Sequence, residues 1–327
     1  MEVRRLQEMG GATLLVSIPK EWARSASLKK GSVVSIEESS DGGLLIYPVA
    51  KSGNERSDKE IELANPSKFG SEKISSEITA AYLLGYDLIR IKAEHRISPK
   101  DRERIITAIK RLIGLEIVEE DARSITSQFL VDNTAVEPSK IFKRISSIVR
   151  AMISDSLKYL TSGEATQFDS IAQRDDEVDR LHFLLVRLIR SSVRDRRAAG
   201  KFGLTAIDCL DYRVAASSLE TAGDYAVELS DSISKLGSVS GELRDQIVRI
   251  TDLLDAIQDN AVRSFLGKDF AIAQSVFQDY DRLEEELDKL RSSPDSHLNL
   301  LHFAETLEKI ARCEHDVTDL VSPMGPA

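Results

Sequence analysis

Residues 219–233 read LETAGDYAVELSDSI. Leu219, Ala222, Ala226, Leu229 and Ile233 recur at steps of three and four, which marks one helix face turned to a core. Glu220 and Asp224 stand four apart on the edge of that stripe, so their carboxylates project side by side. Near a bundle interior such groups repel one another and lose hydration, and both effects raise their pKa values. A bound cation relieves both. The pattern has a counterpart upstream, in DDEVDRL at residues 175–181. There Asp175 and Asp179 are one turn apart, Asp175 follows Ile171 by four residues, and Val178, Leu181, Leu185, Leu188 and Ile189 form the stripe. One such acidic pair alone is an ordinary solvated helix face. Two pairs on neighbouring helices are how metal centres in bundles are built. All-oxygen ligation favours Mg, Mn, Ca or iron over a thiolate-loving metal.

Further along, the same arrangement is partly repeated. Residues 284–290, EEELDKL, align with 175–181, and Leu307–Ala311 align with Leu219–Gly223. Glu284, Asp288 and Glu308 fall on acidic positions, and Arg312 stands where the fourth acid belongs. An arginine there opposes metal binding or takes the metal's place as neutralising charge. His182, three residues after Asp179, has Arg291 as its counterpart and reads as a packing or surface histidine. Without a symmetric Glu-x-x-His pair, a carboxylate-bridged di-metal enzyme is disfavoured. His95, His297, His302 and His315 suggest no cluster. Ile141, Ile145, Ile148, Val149, Met152 and Tyr159 give another apolar stripe, and three more helices are expected in 247–265, 270–290 and 300–321. Residues 138–322 therefore read as two copies of a three-helix unit, with a disordered tail after them.

Upstream the pattern changes. Residues 59–132 alternate as β-α-β-α-β-β, a small α/β layer with no Gly-rich phosphate loop, no nucleophile elbow and no legible chemistry. Residues 50–58 are polar and read as a linker. In residues 1–49, VRRLQEM and ATLLVSI read as strands around Gly10 and Gly11. PKEWARSA reads as a short helix with Pro19 in its first turn. SVVSIEE and LLIYPV read as a second hairpin around Asp41, Gly42 and Gly43. So short a block buries too little to stand alone, and a dimer is expected.

The chain has 327 residues, 42% of them hydrophobic, which allows two or three domains with sizeable cores. No apolar run approaches the roughly 18 residues of a membrane span. The N-terminus lacks a signal-peptide stretch, and Cys209 and Cys313 fit no zinc or redox spacing. A cytoplasmic protein without membrane insertion is expected. Its net charge of −10 excludes general coating of nucleic acid. The first 34 residues are the exception, where Arg4, Arg5, Lys20, Arg24, Lys29 and Lys30 outnumber Glu2, Glu8 and Glu21.

On the two Glu/Asp-x-x-x-Asp pairs and the LETAGDYAVELSDSI helix, residues 138–322 resemble PhoU, the phosphate-transport regulator made of two three-helix bundles. On VRRLQEMGGATLLVSIPKEW and LKKGSVVSIEESSDGGLLIYP, residues 1–49 resemble the SpoVT/AbrB swapped-hairpin domain. The order of blocks resembles archaeal PhoU-type proteins, with the middle block least specific. The PhoU resemblance implies metal clusters on Asp175, Asp179, Glu220, Asp224, Glu284, Asp288 and Glu308. The expected metal is iron, Mg, Mn or Zn. The AbrB resemblance implies a homodimer that binds DNA through Arg4, Arg5, Lys20 and Arg24, although Gly10 and Gly11 occupy a turn where many members carry a basic residue. Together they imply a non-enzymatic regulator of phosphate uptake whose partners are DNA and the ATPase of a phosphate ABC transporter or another signalling protein. In the alternative, the N-terminal block only dimerises and regulation runs through protein contacts.

Overall fold

The computed structural model describes residues 3–11, 13–38, 42–48, 60–64, 71–132, 135–162, 168–194, 196–236, 239, 241–293 and 297–321. The linker expected at 50–58, Asp41 of the second hairpin turn and the tail after residue 321 lie outside them. The chain divides into two compact units, residues 1–57 and 58–327.

The first unit is a small antiparallel β unit. Strands β1 (Gln7–Met9) and β2 (Thr13–Leu15) pair with Met9 opposite Thr13. Between them Gly10 and Gly11 take φ of +68° and +79°, a region that only glycine enters without strain. Both strands are shorter than the apolar runs that predict them. Helix α1 (Lys20–Ser25) follows, and Pro19 sits just outside it at the N-cap rather than in its first turn. Strands β3 (Val34–Glu38) and β4 (Leu44–Pro48) form the second hairpin. No described residue of this unit is buried. Leu6, Met9, Leu14, Ile36 and Leu44 are each 60% exposed or more. Two hairpins and a six-residue helix enclose no core of their own.

The second unit opens with the α/β layer. Its sheet runs β5 (Glu60–Ala64), β6 (Leu88–Lys92), β8 (Ser124–Phe129), β7 (Leu115–Glu120), with only the β5–β6 pair parallel. Helices α2 (Ser71–Leu83) and α3 (Pro99–Lys110) bury Ile74, Ile78, Ile105 and Ile109 with Ile89, Ile91 and Ile125 of the sheet. Helix α3 starts cleanly: Ser98 Oγ accepts from the Asp101 amide at 3.1 Å, and Pro99 fills the first helical position.

Helices α4 (Pro138–Ser162), α5 (Phe168–Arg194) and α7 (Ala206–Leu236) make one bundle. Helices α8 (Gly241–Gly267), α9 (Phe270–Arg291) and α10 (Leu298–Asp319) make the other. A short α6 (Arg196–Phe202), absent from the sequence reading, joins α5 to α7. The expected stripes of α5 and α7 are wholly buried, whereas Ile148 and Tyr159 of α4 are half-buried. The two bundles are not separate bodies, because α4 packs on α8 and α7 on α10.

The α/β layer is fastened to the first bundle by arginines of α5. Arg187 is fully buried. Its guanidinium donates to the carbonyls of Tyr82 at 2.7 Å and Tyr86 at 2.9 Å and to Asp87 Oδ1 at 2.6 Å, and lies 3.8 Å from the Phe129 ring centroid. Arg190 and Arg194 donate to the carbonyls of Leu83 and Leu84. The last carbonyls of α2, which a helix cannot satisfy itself, are thus capped by cations at the negative end of its dipole.

Candidate metal centre

The stripes of α5 and α7 set the geometry. Gly223 presents bare backbone where α7 meets α5. A Cβ on Gly223 would stand 3.1 Å from Asp175 Oδ1 and 3.2 Å from Val178 Cγ1, so the glycine is what lets this backbone reach the carboxylate. Four acids then share one field. Burial pushes Asp175 up to about 6, with the charges of Asp224, Asp179 and Asp176 adding to it. Burial raises Glu220 as well, followed by repulsion from Asp224, Asp179 and Asp175. Burial alone raises Asp224. Asp179 is raised by burial, opposed by Arg111. The structure therefore brings together the four acids Asp175, Asp179, Glu220 and Asp224.

Two residues join them that the motif did not name. His182 is 7% exposed, and neither ring nitrogen has a hydrogen-bond partner. Its Nδ1 lies 3.9 Å from Glu220 Oε1. Burial lowers its pKa to about 4, with Arg213 adding, which leaves a neutral imidazole beside a carboxylate. The spacing Asp179-x-x-His182 is the sequence signal for it, one that the second bundle, with Arg291 at this position, does not repeat. The other is Arg111, at the end of α3. Its Nη2 is 3.0 Å from Asp179 Oδ2 and 3.7 Å from Asp176 Oδ1. No cation stands at the four motif positions, yet one arrives from the neighbouring layer, which sequence spacing cannot reveal.

The second bundle is different. Arg291 donates to Asp288 Oδ1 at 2.9 Å and also pairs with Glu308. Arg312 lies 4.0 Å from Glu308. The neutralising role that the sequence assigns to Arg312 belongs mainly to Arg291. This residue occupies the position of His182 and reaches Glu308 much as His182 reaches Glu220.

Among the described residues, one group of ligand atoms lies mutually within 4.8 Å, and it is His315, Asp316 and Asp319 on the outside of α10. The four first-bundle acids are not so tightly gathered. His315 Nδ1 is 3.4 Å from Asp319 Oδ2, and its ring packs 4.8 Å from Tyr280. The spacing His-x-x-x-Asp would have disclosed this pair. In the first unit Arg4, Arg5, Lys20 and Arg24 are all exposed, and Arg4 donates to Ser17 Oγ at 2.9 Å.

Residues 142–233 match the PhoU domain, a span that holds Asp175, Asp179, Glu220 and Asp224. Glu284, Asp288 and Glu308 fall outside it. Residues 9–54 match the antidote–toxin recognition domain MazE, a bacterial antitoxin. No curated protein matches the chain. Among solved structures, PhoU from Pseudomonas aeruginosa is similar at 16% identity and a TM-score of 0.46, over 56% of this chain and 93% of that one.

Proposed function

We propose that this chain is a cytoplasmic, non-enzymatic regulator of phosphate uptake. Its first bundle holds metal on Asp175, Asp179, Glu220 and Asp224, and its first unit dimerises and binds DNA. The observation that carries the metal reading is the set of four neighbouring acids, Asp175, Asp179 and Glu220 half-buried and Asp224 exposed, with a neutral His182 beside them whose ring nitrogens have no hydrogen-bond partner. A divalent cation would neutralise the acids and give the imidazole its missing partner. Mixed carboxylate and imidazole donors suit iron, Mn or Zn, and carboxylates alone suit Mg. Phosphate regulation and a phosphate-transporter ATPase as partner draw on the PhoU match. No helix among the described residues is long and apolar enough to cross a membrane.

Elemental analysis of the purified protein tests the reading. Asp179→Asn with Asp224→Asn should remove most bound metal, and Glu284→Gln with Asp288→Asn should change it little. Arg312→Asp alone should add none, because Arg291 still bridges Asp288 and Glu308. Arg291→His with Arg312→Asp should raise uptake. Equal losses from the two acidic pairs would sink the asymmetry, and a gain from Arg312→Asp alone would remove Arg291 as the neutralising group.

Dimerisation of the first unit is favoured by its uncovered apolar residues and by the MazE match. Leu14→Glu with Ile36→Glu should shift the full chain toward monomer in sedimentation, and an unchanged mass would refute a dimer held there. Arg4, Arg5 and Arg24 are the DNA contacts, since phosphates are held mainly by Arg and Lys. Changing all three to Ala should weaken binding in a gel shift and flatten its salt dependence by about one unit per lost contact. If parent and variant bind alike at two salt concentrations, the head only dimerises.

A further inference from the structure

The α/β layer carries a feature that the metal reading does not use. A groove of about 480 Å³ runs between α2 and α3, within the size range of small-molecule sites. Three cations, Lys100 and Arg104 of α3 and its C-cap Arg111, line it. Glu103 is the one carboxylate among its lining residues. In a chain of net charge −10 such a concentration of positive charge is out of character. Lys100 and Arg104 form no ion pair or hydrogen bond through their side chains with any described residue, so both are free to meet an anion. The hydroxyl-bearing residues Thr79 and Thr107 also line the groove.

The groove is not polar throughout. Arg111 and the almost fully buried Leu112, both just past the end of α3, and the half-buried Phe183 of α5 line its far end. From Lys100 to Arg111 the helix rises about 16 Å, comparable to an extended nucleotide and far more than one phosphate ion. One end thus offers an ammonium and a guanidinium, and the other an aromatic ring and a leucine.

We propose that this groove binds a nucleotide, with its phosphates on Lys100 and Arg104 and its base against Leu112 and Phe183. Phosphate oxygens accept charge-assisted bonds from guanidinium and ammonium, and bases stack on aromatic and arginine planes. The site is independent of the metal reading. Arg111 is shared with Asp179, but Lys100 and Arg104 are not, and those two are the positions to vary.

Titration calorimetry of the full chain in EDTA, which empties any metal centre, tests it with ADP, adenosine and pyrophosphate as probes. ADP should bind at least about tenfold more tightly than adenosine or pyrophosphate, because each of those fills half the groove. Lys100→Ala with Arg104→Ala should weaken ADP about tenfold or more, with the thermal midpoint unchanged, since neither side chain has a partner to lose. ADP that fails to bind, or binds the double variant equally well, overturns the site. Pyrophosphate binding as tightly as ADP overturns the nucleotide, because the apolar end would then be idle.

Discussion

Arg187→Leu is expected to destabilise the second unit by about 3–5 kcal/mol, the usual cost of removing one partner from a buried charged network. Leucine fills much of the volume and keeps contact with Phe129, but it donates nothing. The carbonyls of Tyr82 and Tyr86 and the carboxylate of Asp87 would all lose the donor that reaches them within 2.9 Å. Water cannot readily replace it, because the guanidinium is completely enclosed. The thermal midpoint should fall by on the order of 10 °C. Arg190→Leu is the control. Its bond to the Leu83 carbonyl is 3.4 Å long and exposed, so the loss should stay below about 1 kcal/mol. Equal shifts from the two variants would mean that Arg187 does not fasten the layer.

The second large effect is a pH dependence centred on Glu314. This side chain is 1% exposed on α10. Burial pushes its pKa up to about 8, opposed by the neighbouring Gln258 side chain of α8 and the charge of Arg150 of α4. Arg150 is itself committed to Asp255 at 2.6 Å and Asp259 at 2.8 Å. Oε2 of Glu314 has no partner. An acid whose folded pKa lies above its unfolded value of 4.5 holds its proton more tightly when folded. Its contribution is complete below pH 4.5 and is lost as pH rises to about 8. The slope is about 1.4 kcal/mol per pH unit, on the order of 5 kcal/mol in all. Urea unfolding of the parent should show that decline, and Glu314→Gln should remove most of it and be the more stable protein at pH 8. Identical profiles for the two would show that Glu314 is ionised in the folded state. Asp175, raised to about 6, adds a smaller decline of the same sign, which is why the variant and not the parent alone decides.

How much of this was readable beforehand follows from the range of the interactions. Helix stripes are a local periodic signal, and Val178, Leu185, Leu219 and Leu229 are buried as their spacing requires. Helix α6 was missed because RRAAGKF carries no stripe and is only seven residues long. The first-unit strands are shorter than their apolar runs, and β1 and β2 pair only with each other. The four acids of the first bundle were legible because a one-turn spacing fixes their direction on the helix. Arg111 and Arg187 were not, since each acts across more than sixty residues of chain. His182 and Arg291 were aligned correctly, but sequence could not reveal that this position faces the third helix of its bundle in both copies.

The two ends of α5 bear differently on the α/β layer. Near Asp179 the layer is tied to α5 through Arg111, which pairs with Asp179 and Asp176, and around Arg187, Arg190 and Arg194 by a cluster of bonds to the end of α2. From Asp179 to Arg190 the helix rises about 16 Å. The tie at the Asp179 end is Arg111, so anything that takes the Asp179 carboxylate competes with Arg111 for it.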